Sequence, residues 1–131
     1  MATWEDASRI CAALPGTAEE RSKQGHRGWR VGAKGRFAWE RPLRKTDLAV
    51  LGDAAPDGPV LALHTGDLAG KDAHLEELPH LCFTVPHFDG YPAVLVRLEA
   101  ATVPELEDLL AGAWLLSAPA GLVRRHLDGT A

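Results

Sequence analysis

Nine of the fourteen lysine and arginine side chains fall between residues 21 and 45, where Glu40 is the sole acid. The rest of the chain holds five basic and seventeen acidic residues, so its charge is strongly dipolar although the net charge is −4. A positive patch on an acidic body allows a net-negative protein to bind phosphate groups. The alternative is that these charges only keep an exposed sheet face solvated and protect a sheet edge from pairing.

The segment GWRVGAKGRFAWER, residues 28–41, predicts the hairpin that would present these charges. A three-residue loop, 33–35, places Val31 opposite Phe37 and Trp29 opposite Trp39. Cross-strand partners share a sheet face, so these four side chains form one apolar surface that we expect to face the core. The other face then carries the remaining residues of the two strands: Gly28, Arg30, Ala38 and Glu40.

This register decides which side chains are candidates for contact with nucleic acid. Trp29 and Trp39 have rings that could stack on bases, but their shared face indicates a packing role. The predicted phosphate contacts are therefore cations of the hairpin and of the segment that follows it, namely Arg30, Lys34, Arg36, Arg44 and Lys45.

A second candidate site lies in the segment PHFDGYP. His87, Asp89 and Tyr91 meet there on one turn and, together with Trp114, could line a small-molecule pocket or act as acid–base groups. The alternative is that these residues only form a turn, because Asp-Gly strongly favours turns and the flanking prolines restrict the backbone on either side.

Metal and catalytic motifs are absent from the sequence. His80, Cys82 and His87 match no compact zinc spacing. We find no glycine-rich phosphate loop, no nucleophile elbow and no HExxH helix. We therefore expect no metal, no cofactor and no catalytic residue.

The order of predicted elements indicates an α+β fold. Thr3 caps a first helix that ends at Pro15-Gly16, and residues 17–26 are interpreted as a loop because they show no apolar period. After the hairpin, strands are predicted at Val60–His64, Leu81–Val85 and Ala93–Leu98. Helices are predicted from Leu68 and behind the T-x-x-E capping box at Thr102.

Length and composition fit a single globular domain spanning residues 1–131. Cys11 and Cys82 lie in apolar contexts and are predicted to be buried free thiols rather than a disulfide. The N-terminal segment lacks the pattern of a signal peptide, and no apolar run approaches the length of a membrane span. These features predict a cytoplasmic protein without a membrane partner.

Several motifs resemble the MmcQ/YjbR-like family: ALPG at the end of the first helix, WRVGAKGRFAW, FTVPHFDGYPAVLVRL and ELEDLLAGAWLLSAP. The resemblance runs from about residue 5 to residue 125. It implies a double-wing, CyaY-like α+β fold: a mainly antiparallel sheet built from two hairpins, packed against N- and C-terminal helices. The resemblance also implies DNA binding, and it assigns no catalytic residue to this sequence.

Two functional hypotheses follow. The first is a non-enzymatic DNA-binding protein whose basic first hairpin makes weak, salt-dependent phosphate contacts. The second is a small-molecule or protein-binding module that uses the His87–Tyr91 turn and a groove between sheet and helices, without a nucleic-acid role.

Overall fold

The computed structural model describes residues 1–32 and 35–127. Over these residues the chain forms five α-helices and one antiparallel sheet of six strands, which confirms the predicted α+β fold. The elements are α1 (Trp4–Ala13), β1 (Thr17–Arg21), β2 (Arg27–Val31), β3 (Arg36–Glu40), α2 (Lys45–Leu51), β4 (Val60–His64), α3 (Leu68–Glu77), β5 (Cys82–Phe83), β6 (Ala93–Arg97), α4 (Val103–Ser117) and α5 (Ala120–Leu127). None of the described helices combines the length and apolar composition that crossing a bilayer requires.

The sheet has the strand order β1-β2-β3-β4-β6-β5 and is covered on both faces at its centre. In β4 and β6, alternate side chains enter two separate apolar clusters, because successive residues of a strand point to opposite faces. The larger cluster lies between the sheet and α1 and α4, and we call it the helix-side core. The smaller one, on the opposite face, includes Val60, Phe88 and Leu95, and we call it the second cluster.

Two capping boxes begin the helices of the helix-side core, as the sequence predicts. The Thr3 hydroxyl accepts from the Asp6 backbone N–H at 3.2 Å, and the Asp6 carboxylate accepts from the Thr3 N–H at 3.0 Å. Thr102 and Glu105 make the same pair of bonds at 3.2 and 2.9 Å before α4. Each box satisfies two backbone donors that would otherwise lack partners at a helix N-terminus.

The interpretation of residues 17–26 as a loop is wrong for their first half. Residues 17–21 form the edge strand β1, which pairs antiparallel with β2 from Thr17 opposite Val31 to Arg21 opposite Arg27. An edge strand with solvent on both sides needs no apolar alternation, so its sequence carries no periodic signal. This pairing places Glu19 and Glu20 beside the side chains of β2.

The predicted register of the hairpin, with Trp29 opposite Trp39 and Val31 opposite Phe37, is also wrong, and it assigns both Ala38 and Trp39 to the wrong face. Arg30 pairs with Arg36, whereas Trp29 pairs with Ala38, so Phe37 is an extra residue that forms a β-bulge in β3. As a result Phe37 and Ala38 both enter the helix-side core, and Trp39 packs on the second cluster. The predicted loop residues Ala33 and Lys34 lie outside the described residues.

The buried tryptophans and cysteines anchor the helix-side core. Trp29 is 1% exposed, stacks on Trp4 at 6.4 Å between ring centroids, and donates from Nε1 to Glu19 Oε1 at 3.0 Å. Trp114 is fully buried and donates from Nε1 to the Pro15 carbonyl at 2.9 Å. Cys11 and Cys82 are buried free thiols, as predicted.

We expect Trp29→Ala to lower the free energy of unfolding by about 3–5 kcal/mol, because it leaves a large cavity in the core. Leu116→Ala is the control, since Leu116 is 55% exposed and its truncation should change stability by no more than about 0.5 kcal/mol. Urea denaturation followed by circular dichroism measures both. Equal effects of the two substitutions would contradict the position of Trp29.

We expect both thiols to resist alkylation in the native protein. Burial raises the pKa of Cys11 to about 12 and that of Cys82 to about 11, so little reactive thiolate exists at neutral pH. Reaction with a thiol reagent should therefore be slow in buffer and rapid in denaturant. Fast labelling of the native protein would show that these sites are open to solvent.

Candidate functional site

A cleft of about 670 Å³ lies on the face of the sheet that carries the second cluster. The residues that line it come from the turn between β1 and β2, from β3 and the segment after it, and from the PHFDGYP turn. Its lining consists of Ser22, Gln24, His26, Arg36, Trp39, Glu40, Arg41, Pro42, Leu43, Arg44, His87, Phe88 and Tyr91. We refer to this site as the cleft.

The cleft brings together residues from both sets of sequence candidates. Arg36 and Arg44 come from the set proposed for nucleic acid, and His87 and Tyr91 come from the set proposed for a small ligand. The other candidates that the structure describes, Arg30, Lys45, Asp89 and Trp114, do not line it. Lys34 lies outside the described residues.

Trp114 cannot share a site with His87 and Tyr91, contrary to the grouping drawn from the sequence. Its ring is buried in the helix-side core, whereas Tyr91 lines the cleft over the second cluster. Its neighbours are the Pro15 carbonyl and the His126 ring, whose centroid lies 4.9 Å away. Trp114 therefore has a packing role in the core and is not part of the cleft.

Aromatic rings form one wall of the cleft, and arginines lie over them. Trp39 and Phe88 stack with their centroids 6.5 Å apart and their planes 28° apart, and Tyr91 meets Phe88 edge-on at 5.8 Å. The guanidinium carbon of Arg36 lies 5.4 Å from the Trp39 centroid, and that of Arg41 lies 5.4 Å from the Phe88 centroid. These cation–π contacts hold positive charge beside a flat apolar surface.

The backbone of β2 allows Arg36 to take this position. A β-carbon on Gly28 would lie 2.5 Å from Cδ of Arg36, so a larger residue would displace that side chain. Gly28 pairs with Trp39 in the register, which places the arginine over the tryptophan ring. The glycine that opens the hairpin motif is thus part of the site.

Asp47 organises the segment after β3. Its carboxylate accepts from the Arg44 backbone N–H at 2.9 Å and lies 3.2 Å from Nη1 of Arg41. Both partners of this ion pair are buried, Arg41 at 7% and Asp47 at 2% exposure. Arg41 Nη1 also donates to the Pro42 carbonyl, but its Nη2 is buried without an acceptor in the part of the chain that the structure describes. The Asp47 carboxylate therefore holds the backbone of Arg44 and the side chain of Arg41, and Nη2 of Arg41 has no hydrogen-bond acceptor among the described residues.

The PHFDGYP turn is held from beneath by Lys71 of α3. The Lys71 ammonium is 5% exposed and donates to the carbonyls of Phe88 and Tyr91, the latter at 3.0 Å. The Tyr91 hydroxyl lies 3.1 Å from Nε2 of His64, whose pKa burial lowers below its usual value. A neutral His64 can accept a hydrogen bond from the Tyr91 hydroxyl, so Tyr91 is held at both its hydroxyl and its backbone carbonyl.

Arg30 of the hairpin and Arg21 of β1 lie beside carboxylates of β1. Arg30 Nε lies 2.7 Å from Glu20 Oε1, and Arg21 Nε lies 3.9 Å from Glu19 Oε2. The Arg30 hydrogen bond lowers the pKa of Glu20 and so favours its charged form. By contrast, neither Arg36 nor Arg44 forms an ion pair with a carboxylate among residues 1–32 and 35–127.

Sequence reasoning missed Trp39, Glu40, Arg41 and Phe88 as cleft residues. Arg41 was one of the nine cations of the basic segment, but nothing in its neighbourhood distinguished it from the others. Lys71 did carry a signal, since it falls at helical spacing with Leu68, Leu75 and Leu78, where an apolar side chain would be expected. In the described ranges, no group of three or more His, Cys, Asp or Glu side chains is arranged to hold a metal ion.

Comparison with known proteins places the chain among relatives from mycobacteria. It is 48% identical over 130 residues to the uncharacterised protein Mb2600 of Mycobacterium bovis, covering 97% of each chain. The uncharacterised protein Rv2570 of Mycobacterium tuberculosis matches to the same extent. The chain belongs to the family of these proteins. No protein-family model matches its sequence.

A solved structure shares the fold of this chain. The crystal structure of the Deinococcus radiodurans protein DR2400, which carries a DUF419 domain, aligns with a TM-score of 0.64 and 22% sequence identity. The alignment covers 100% of this chain and 91% of that one. At this identity the likeness concerns the fold alone.

In this family member we expect Arg41→Leu to lower the free energy of unfolding by about 3–5 kcal/mol, because it leaves the buried Asp47 carboxylate unpaired. Adding Asp47→Asn should recover part of that loss, since the amide oxygen still accepts from Arg44 without a buried charge. Urea denaturation of the wild type, both single variants and the double variant gives the coupling energy. Additive effects of the two substitutions would show that the pair is not coupled.

Proposed function

We propose that this protein is a non-enzymatic, cytoplasmic DNA-binding protein of the MmcQ/YjbR-like type, and that it binds single-stranded DNA in the cleft. The observation that carries the proposal is the joint presence of Arg36 and Arg44, neither in an ion pair with a described carboxylate, beside the rings of Trp39 and Tyr91. Guanidinium groups bind phosphates, and aromatic rings stack on bases.

The cleft favours a single strand over a duplex for two reasons. Bases in a duplex are stacked on one another, so their faces do not reach an exposed ring such as Tyr91, whereas those of a single strand do. In addition, Arg30 of the hairpin is paired with Glu20 of β1, so less positive charge remains on the hairpin for the backbone of a duplex. The contact surface that we propose is therefore the cleft and not the hairpin as a whole.

Affinity should come from few phosphate contacts and should therefore be weak. Two such contacts predict a slope of about −1.4 for the logarithm of the binding constant against the logarithm of salt concentration. The aromatic stacking adds a component that depends little on salt and on base identity.

A second candidate function uses the same cleft without nucleic acid. Its volume of about 670 Å³ is that of a pocket for a small molecule. Arg36 and Arg44 line the cleft beside its aromatic rings and form no ion pair with a described carboxylate, which is an arrangement that suits a small anion with an aromatic group.

Fluorescence anisotropy of a labelled single-stranded oligonucleotide, with duplex DNA and single-stranded RNA as comparisons, tests the proposal. We expect saturable binding at low salt and a loss of affinity of about tenfold or more for Arg36→Glu with Arg44→Glu, because two phosphate contacts become repulsive. Arg124→Glu with Arg125→Glu is the matched control, since both residues are exposed on α5, which packs on the helix-side core.

Three results would count against this function. Absence of binding at low salt rejects it and leaves the small-molecule hypothesis. Equal losses in the two charge-reversed variants would show that DNA responds to net charge and not to the cleft. Preference for the duplex would move the contact to another surface.

A further inference from the structure

A second pocket lies between α3 and α4, and its described lining residues differ from those of the cleft. Helix α4 packs mainly on α1, β3 and β4, whereas α3 packs on β5 and β6, so a gap remains between the two helices. The gap has a volume of about 230 Å³ and lies between His74 on α3 and Asp108, Gly112 and Leu116 on α4. We refer to it as the α3/α4 pocket.

The inner wall of the α3/α4 pocket is apolar. Leu81, Leu109 and Ala113 line it, and all three are buried members of the helix-side core. Its exposed lining residues, Asp108 and Leu116, lie where it opens to solvent. An apolar cavity of about 150 Å³ takes up benzene, so the larger volume here accommodates a ring with a short side chain.

Gly112 leaves space that packing within the protein does not fill. Glycine weakens the interior of a helix, so its presence in α4 calls for a reason. At Gly70 of α3 the reason is steric, because a β-carbon there would lie 2.4 Å from the Thr65 carbonyl oxygen. A β-carbon on Gly112 would have no described atom within 4 Å outside its own stretch of helix. The missing side chain therefore enlarges the pocket instead of relieving a contact.

Two carboxylates give the pocket its charge. Asp108 forms no ion pair with a cation of residues 1–32 and 35–127. The Glu105 carboxylate accepts from the Thr102 N–H at 2.9 Å and lies 3.2 Å from Nε2 of His80. These two contacts lower the pKa of Glu105, so its charged form prevails at neutral pH.

The helices on either side of the pocket strengthen its negative potential. The single lysine of α3 and α4 is the buried Lys71, which binds backbone carbonyls of the PHFDGYP turn, and neither helix contains an arginine. The acids of the two helices are Asp72, Glu76, Glu77, Glu105, Glu107 and Asp108. A cleft lined by charges of one sign concentrates ligands of the opposite sign.

The two histidines of the pocket already have partners within the protein. His74 donates from Nδ1 to the Gly70 carbonyl at 2.9 Å, and His64 Nε2 lies 3.1 Å from the Tyr91 hydroxyl. Burial lowers the pKa of His64, so this ring is neutral at neutral pH. The carboxylates therefore determine which charge the pocket accepts.

We infer that the α3/α4 pocket binds a small organic amine. Its apolar part, of the size of a phenyl ring, enters the space beside Gly112, and its ammonium group binds the Asp108 carboxylate. This inference does not rest on the proposed function, because the cleft is lined by arginines and takes anions.

The test is a titration of the ¹⁵N-labelled protein, followed by backbone amide shifts, with three probes that share a phenyl ring and differ in charge. They are 2-phenylethylamine, 2-phenylethanol and 3-phenylpropanoate. We expect saturable shifts of Leu109, Gly112 and Ala113 with the amine, and an affinity about fivefold higher than that of the alcohol, because a charge-assisted hydrogen bond is stronger than a neutral one. The carboxylate should bind more weakly than the alcohol, since Asp108 and Glu105 repel it.

Two variants separate the charge of the site from its shape. Asp108→Asn should reduce amine affinity to that of the alcohol and leave the alcohol unaffected. Gly112→Leu should weaken both probes by about tenfold or more, because the new side chain occupies the pocket. The same variant should not lower the Tm, since leucine favours a helix interior over glycine.

The chain offers a matched control for each variant. Glu107→Gln removes an exposed charge of α4 that does not line the pocket, and it should leave amine binding unchanged. Gly121→Leu changes a glycine of α5 whose β-carbon would also have no described atom within 4 Å, but which does not line the pocket. It should bind the probes as the wild type does.

Several results would overturn the inference. These are absence of saturable amine binding, equal affinities of the three probes, and amine-induced shifts centred on Glu40 and Arg44 of the cleft. A dimer that Gly112→Leu dissociates would place a second copy of this chain in the pocket and would equally overturn it. The comparison of probes on the wild type requires no variant, so it decides the inference even if Gly112→Leu does not fold. Loss of DNA binding in the earlier test leaves this result unaffected, because the two sites use different residues.

Discussion

The extra residue in β3 is the constraint on which the rest of the site depends. Because Phe37 is inserted opposite a single residue of β2, both Phe37 and Ala38 turn into the helix-side core. The alternation then resumes with Trp39 on the other face, under Arg36. Without this bulge, Trp39 would be a core residue, and the cleft would have neither its aromatic wall nor the guanidinium above it.

Two buried charges hold the loops that complete the cleft. Asp47 fixes Arg41 and the backbone of Arg44 on one side, and Lys71 binds the carbonyls of Phe88 and Tyr91 on the other. Burying a charge is costly unless it has partners, so both loops have one well-defined position relative to the sheet. A site held in this way keeps its donors in place before a ligand arrives, which reduces the entropy lost on binding.

The edge strand β1 changes what the basic segment can do. The sequence shows nine cations with a single acid among them, but the paired strand places Glu19 and Glu20 beside them. The hairpin is therefore partly neutralised at Arg30, whereas Arg36 and Arg44, which line the cleft, form no ion pair with a described carboxylate. A count of charges along the chain does not reveal this, because strand pairing joins residues that are ten positions apart.

Local signals in the sequence determined the helices, the central strands and the burial of the thiols. The capping boxes at Thr3 and Thr102 and the apolar runs of β4 and β6 act between near neighbours, so the sequence alone indicates them. Only the tertiary structure decided the face of Trp39, the strand β1 and the meeting of Arg36 and Arg44 with Tyr91. These features depend on a one-residue shift in strand pairing and on contacts between distant segments, and neither leaves a periodic pattern in the sequence.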